Sequence, residues 1–148
     1  MIVRFTVPGQ PVTQGSMAAV KTKGGKVKVI HSKKGKCQSV AQWRRVAKQA
    51  AHLAMRGRAL MDGAVEVYAV FYVERPVSRE GEPFPIWRLD LDKLERALGD
   101  ALTGIVVTDD VRIVFWSARK SYADLHPQGI PCTVVGVKEA FYEGRGMS

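Results

Sequence analysis

The chain has 148 residues, of which 46% are hydrophobic, 25% charged and 8% aromatic. This is the length and composition of one domain that can bury roughly 70% of its unfolded surface, so fibrous, mucin-like and fully disordered classes are excluded. The net charge of +9 is unevenly placed: residues 1–58 carry 13 Lys and Arg and no acid, whereas residues 59–148 carry 10 Lys and Arg and 14 Asp and Glu.

Ile2 to Val7 is β-branched and stops at Pro8-Gly9, which predicts a first strand. Met17 to Thr22 and Lys26 to His31 flank Lys23-Gly24-Gly25, a hairpin signal, because glycine permits the positive φ of tight turns. In the second arm Val27 and Val29 alternate with Lys26 and Lys28, giving one apolar and one cationic face. Ser32 to Lys36 is a basic loop. Ser39 has the chemistry of an N-cap. After it, Val40, Trp43, Val46, Ala47, Ala50, Leu53 and Ala54 recur at helical spacing, with Arg45, Lys48, Gln49, His52 and Arg56 on the other face. That helix is expected to end near Gly57.

Ala64 to Val73 alternates and predicts a central strand; Pro76 to Pro85 reads as a loop. From Asp90 onward, Leu91, Leu94, Leu98, Ala101 and Leu102 define a second amphipathic helix, entered through acids and closed at Gly104. Val111 to Ala118 and Cys132 to Val137 complete the strands, and a loose tail is expected from Gly144. Two apolar helical stripes and several strands are buried most simply in an α+β fold, a single domain in which both helices pack on one mixed sheet beside an N-terminal basic hairpin. Within it, residues 1–58 form a basic front, 59–140 an acidic core and 141–148 the tail.

Cys37 and Cys132 are too few for a disulfide scaffold and read as free thiols. The three histidines are scattered and no Cys/His cluster exists, which argues against zinc. The N-terminus lacks the apolar run of a signal peptide, and the most apolar stretch is too short to span a bilayer; a cytoplasmic protein is expected.

The acids carry the chemistry. Asp90 and Asp92 stand where the second helix begins, and Asp109 and Asp110 where the next strand begins. If that strand lies under the helix the two pairs converge, and converging carboxylates suit a hard divalent cation such as Mg²⁺. The same spacing also fits plain helix caps, Asp92 with Glu95 as a capping box, and a solvated turn at Asp109-Asp110. Asp92, Arg96 and Asp100, at i, i+4 spacing, share one helix face: an ordinary surface ion pair, or a cation held beside a metal. Lys120 lies at the far end of the strand.

Asp90-Leu91-Asp92-Lys93-Leu94-Glu95-Arg96, Asp100-Ala101-Leu102-Thr103-Gly104, Asp109-Asp110-Val111-Arg112-Ile113 and Lys120, taken together, resemble the RusA family of Holliday-junction resolvases. That family's pattern is D-x-D-N-L-x-K, D-A-L-x-G, D-D-x-Q-[IV] and a later Lys. Gly9-Gln10-Pro11-Val12-Thr13-Gln14-Gly15-Ser16-Met17 is similar to the family's opening segment, and Trp43-Arg44 to a W-R pair of its phage-type members. The resemblance implies a RusA-like fold and a Mg²⁺-dependent endonuclease, with Mn²⁺ as a possible substitute, acting as a homodimer on four-way DNA junctions in recombination and repair, often of phage origin. It assigns Asp90, Asp92 and Asp110 as essential acids that would hold the metal, with Asp109 as a fourth ligand or an orienter of water, and places the family's two lysines at Arg96 and Lys120, either of which would stabilise the developing charge. The family's Asn and Gln are Lys93 and Arg112 here. Arg96 in place of Lys keeps the charge and gives up any proton-donor role. Gln14, Ser16, Lys21, Lys23, Lys26, Lys28, Lys33, Lys34, Arg44, Arg45 and Lys93 form the pool for DNA binding. Two other classes remain in view. A non-catalytic nucleic-acid-binding module would have no use for clustered acids, and a sugar-nucleotide enzyme using D-x-D would want a glycine-rich phosphate loop, which is missing.

Overall fold

The computed structural model describes residues 1–13, 18–21, 27–30, 39–142 and 144. Its main sheet has four strands in the order β1 (Ile2–Pro8), β6 (Cys132–Glu139), β4 (Val65–Val73) and β5 (Ile113–Tyr122). β1 and β4 both run antiparallel to β6, whereas β4 and β5 are parallel. A parallel neighbour needs a crossover, and α2 (Leu91–Leu102) supplies it between β4 and β5. β2 (Ala18–Lys21) and β3 (Val27–Ile30) pair antiparallel as a separate hairpin, Ala18 opposite Ile30 and Lys21 opposite Val27. This is the expected α+β arrangement: one mixed sheet, two helices and a basic hairpin. The tail predicted from Gly144 falls almost wholly outside the described residues.

Both helices cover one face of the sheet. Val65, Val67, Ala69, Phe71 and Val73 alternate inward along β4 and meet Val3 and Val7 of β1, Val135 and Val137 of β6, and Leu94, Leu98 and Leu102 of α2. α1 (Val40–Met55) packs against β1 and α2. Ser39 caps it as predicted: its Oγ accepts from Gln42 N at 3.1 Å, and Gln42 Oε1 accepts from Ser39 N at 3.0 Å, a complete capping box. The helix ends at Arg56, in the left-handed region at φ 52°, followed by Gly57 at φ 74°.

The apolar stripe of α1 differs from the sequence reading. Its buried row is Trp43, Ala47, Ala51 and Met55, whereas Leu53, expected on the inner face, is 76% exposed. A strict i+4 row of small alanines lets α1 approach closely, and that row turns Leu53 outward. The next boundaries shift as well. β5 begins at Ile113 rather than Val111, because Asp110–Arg112 form a short 3₁₀ turn, and it runs on past Ala118 to Tyr122.

The connection from β4 to α2 is held by one network. Arg75 is bonded to Asp124 and to the carbonyls of Arg79 (3.0 Å) and Glu82 (2.6 Å), and its guanidinium lies 3.9 Å from the centre of the Tyr122 ring. Tyr122, fully buried, donates to Glu82 Oε1 at 2.8 Å and accepts from Trp87 Nε1 at 3.2 Å. The chain leaves this network through Leu89, a buried residue at φ 66°. A left-handed leucine is strained backbone held by its surroundings. Here it turns the chain directly into Asp90.

Candidate active site

Asp90 is the N-cap of α2, but its carboxylate makes no capping bond; it lies 3.3 Å from Lys93 Nζ instead. Asp92 is in the first turn and does not cap the helix either, so the capping-box alternative is overturned by the N-cap lying two residues earlier, at Asp90. Both carboxylates are exposed and free of the helix end. Arg96 and Asp100 follow on the same face, also exposed.

The Asp109-Asp110 turn is pinned from behind. Thr108 N donates to Met61 O at 3.1 Å and Met61 N to Val106 O at 2.7 Å. Asp62, the first acid in the chain, accepts from Thr108 Oγ1 at 2.8 Å and from Arg112 Nη2 at 3.1 Å, and these bonds hold its carboxyl below the usual carboxylate range. Asp109 Oδ1 accepts from Val111 N at 3.1 Å. That bond, and a second from Asp110, hold Asp109 below its ordinary value, while the Asp109 carboxylate pushes Asp110 upward, aided by burial and the charge of Asp100. The pair thus keeps a proton on Asp110 more readily than on Asp109.

The decisive contact is between this turn and α2. Gly99 is buried on the face of α2 toward β5, and a β-carbon there would lie 3.7 Å from Trp116 Cζ2 and 3.9 Å from Asp110 Cβ. The missing side chain brings helix and turn together and opens a cleft of about 180 Å³, lined by Asp92, Glu95, Arg96, Gly99, Asp110, Ile113 and Trp116. Glu95 is half-buried; burial, then the charge of Asp92, raise its carboxyl above the usual range. Sequence reasoning treated Glu95 only as a capping partner, yet it lies one turn beyond Asp92 on the same face, and that spacing is the signal for it.

Asp90 does not line the cleft. It precedes Gly99 by nine residues, about 13 Å along a helix axis. Hard oxygen donors and crowded like charge fit a hard divalent cation in kind. Among the described residues, however, no group of three acidic, histidine or cysteine side chains is drawn together as a ready-made metal sphere. Lys120, within β5, points its ammonium at the backbone, donating to Arg88 O at 3.3 Å, two residues before Asp90. Arg44, on α1, pairs with Asp100 at 3.7 Å, and Arg45 is exposed on the same helix. Lys21 and Lys28 lie on the paired strands of the hairpin. Gln14, Ser16, Lys23, Lys26, Lys33 and Lys34 fall outside the described residues.

The family model described as Endodeoxyribonuclease RusA matches residues 8–131, from the end of β1 to the start of β6, and so takes in both helices, the cleft and the Asp109-Asp110 turn. The chain belongs to the RusA endodeoxyribonuclease family. No curated protein matches it. In this RusA domain the cleft lined by Asp92, Glu95, Arg96 and Asp110 lies between the exposed face of α2 and the turn that opens β5. No helix among the described residues is long and apolar enough to cross a membrane.

The glycine at the cleft floor gives a direct test. Gly99→Ala meets only ordinary van der Waals contact, and alanine is favoured over glycine inside a helix by up to about 1 kcal/mol. The variant should melt at or above the wild-type temperature yet cut DNA more slowly, on the order of tenfold to a hundredfold, because the new methyl group lies beside Asp110. Thermal unfolding and cleavage rates on one preparation separate the two effects.

Proposed function

We propose that this RusA domain is a Mg²⁺-dependent endonuclease that resolves four-way DNA junctions by paired nicks, acting in the cytoplasm in recombination and repair. The observation that carries the reading is the apposition of Asp110 to α2 at Gly99, which puts Asp92, Glu95 and Arg96 in one cleft with it. A protein that only bound nucleic acid would gain nothing from acids that repel phosphate.

In this reading Asp92 and Asp110 would hold the cation, Asp90, expected from sequence as a further ligand but lying outside the cleft, would be the third essential acid, and Asp109, tied to the Val111 N–H, would orient water at the edge of the site. Bound there, Mg²⁺ supplies charge neutralisation and an activated water for attack on the phosphodiester. Arg96, always charged, stabilises the negative charge that develops on the phosphate. Lys120 acts through the Arg88 carbonyl and sets the path of the chain into Asp90. The basic front, with Arg44, Arg45 and Lys93, binds the backbones of the junction arms, reading shape before sequence. A two-fold homodimer presents two clefts to opposing strands.

The test uses end-labelled four-way junction and linear duplex, with Mg²⁺, with Mn²⁺ and with chelator, alongside sedimentation of the protein. Paired nicks across the junction that vanish with chelator, from a protein sedimenting as a dimer, are the expected result. Tight junction binding with no cleavage under either metal would reduce the protein to a binding module.

A further inference from the structure

A second cleft, of about 140 Å³, lies between α1 and α2 and shares Arg96 with the first. Small-molecule pockets run from roughly 300 Å³ upward, so this one suits an ion-sized group. Its polar lining is Arg44, Lys93, Arg96 and Asp100, three cations against one acid. Arg44 is the unusual member. Its Nε is shielded from solvent and has no hydrogen-bond acceptor among the described residues, and the ion pair it makes among them, to Asp100 at 3.7 Å, is longer than a hydrogen bond. A shielded guanidinium N–H without an acceptor is costly unless something supplies one. Trp43, fully buried one residue earlier, and the alanine row of α1 fix the backbone that carries it, so Arg44 is presented from a rigid element.

We infer that the α1–α2 cleft is a seat for a single backbone phosphate of the DNA strand being cut, adjacent to the reacting one, in which Arg44 and Lys93 bind the phosphate oxygens and Arg96 bridges the two clefts. A guanidinium offers a planar pair of donors to phosphate oxygens, and the surplus positive charge of the lining favours an anion over a neutral group. The seat gives the strand a second fixed point next to the metal cleft and so sets which phosphodiester lies beside Asp92 and Asp110. This rests on the nuclease reading above.

The test measures binding rather than cleavage. Equilibrium binding of a labelled four-way junction is followed in chelator across a salt series for the full-length wild type, Arg44→Gln and Lys93→Gln, with thermal melts as a folding control. Each variant should weaken binding about tenfold at 0.1 M salt and flatten the plot of log affinity against log salt by about 0.9, the signature of one lost phosphate contact. Arg44→Lys should recover the slope more fully than the affinity. Normal junction binding with unchanged slopes in both substitutions to Gln overturns the seat and leaves the nuclease reading standing. Failure of the wild type to bind any junction overturns both. If Arg44→Gln does not fold, the exposed Lys93→Gln decides alone, and an unchanged slope there rejects the seat.

Discussion

Asp110→Asn should reduce junction cleavage by at least about a thousandfold, some 4 kcal/mol of lost transition-state stabilisation, while leaving the protein folded and able to bind DNA. Among the described residues this carboxyl is tied only to its neighbour Asp109. The turn that carries it is held by Thr108, Met61, Asp62 and the bond from Val111 N–H to Asp109. The sign of the stability effect follows from the direction of its titration. The Asp109 carboxylate, burial and the charge of Asp100 raise the Asp110 carboxyl. Its ionised form therefore disfavours the folded state above that raised value, and the burden disappears as pH falls below it. Asparagine removes the burden at neutral pH, so the melting temperature should hold or rise slightly. Cleavage rates, junction binding in chelator and thermal melts at pH 7 together check this. A variant that still cuts within tenfold of wild type would remove Asp110 from the chemistry.

Trp43→Ala should produce the largest loss of stability, about 3–5 kcal/mol, seen as a shift in the denaturant midpoint and a drop of roughly 10 °C in melting temperature. Trp43 is the largest side chain that the core buries completely, on the row of α1 that meets β1 and α2. Truncation opens a void that the alanines beside it cannot fill. Trp43→Phe should cost far less, because the indole N–H has no acceptor among the described residues and phenylalanine removes that orphan donor together with part of the ring. Denaturant unfolding of the two variants separates ring volume from polar cost. A loss under about 1 kcal/mol for Trp43→Ala would mean that α1 is held by contacts other than this one.

Much of this was legible in the chain because local rules and tertiary packing agree. Ser39 with Gln42, the alternation of β4, the leucines of α2 and the glycine after its last turn each satisfy a short-range requirement that the fold then uses. What the sequence hid was long-range. The outward turn of Leu53 depends on which residues of α1 meet β1 and α2, and period alone cannot rank an alanine row above a mixed one. The 3₁₀ turn at Asp110–Arg112 depends on Met61 and Asp62, some fifty residues earlier. The acids were identifiable by type and grouping. Their spatial relation was not: Asp92 shares a cleft with Asp110, Glu95 joins them, and Asp90 lies outside it with Lys93. Gly99, which lets helix and turn approach, looks from sequence like a defect in a helix.

The order of strands also bears on how the chain acquires this shape. Among the described residues β1 pairs only with β6, so residues 2–8 wait for residues 132–138 before the sheet can close on that side. Closing so long a loop costs entropy before any ladder bond is gained, and topologies of this kind fold slowly. The cleft, by contrast, is built from consecutive pieces, β4, α2 and β5, whose paired strands lie about fifty residues apart in the chain, against more than 120 for β1 and β6. During synthesis the unit that forms the cleft can therefore assemble as a β-α-β nucleus while β1 and α1 still lack their edge. The β1–β6 seam is then expected to form late, so that substitutions in residues 2–8 should act on folding speed more than on the geometry of the acids.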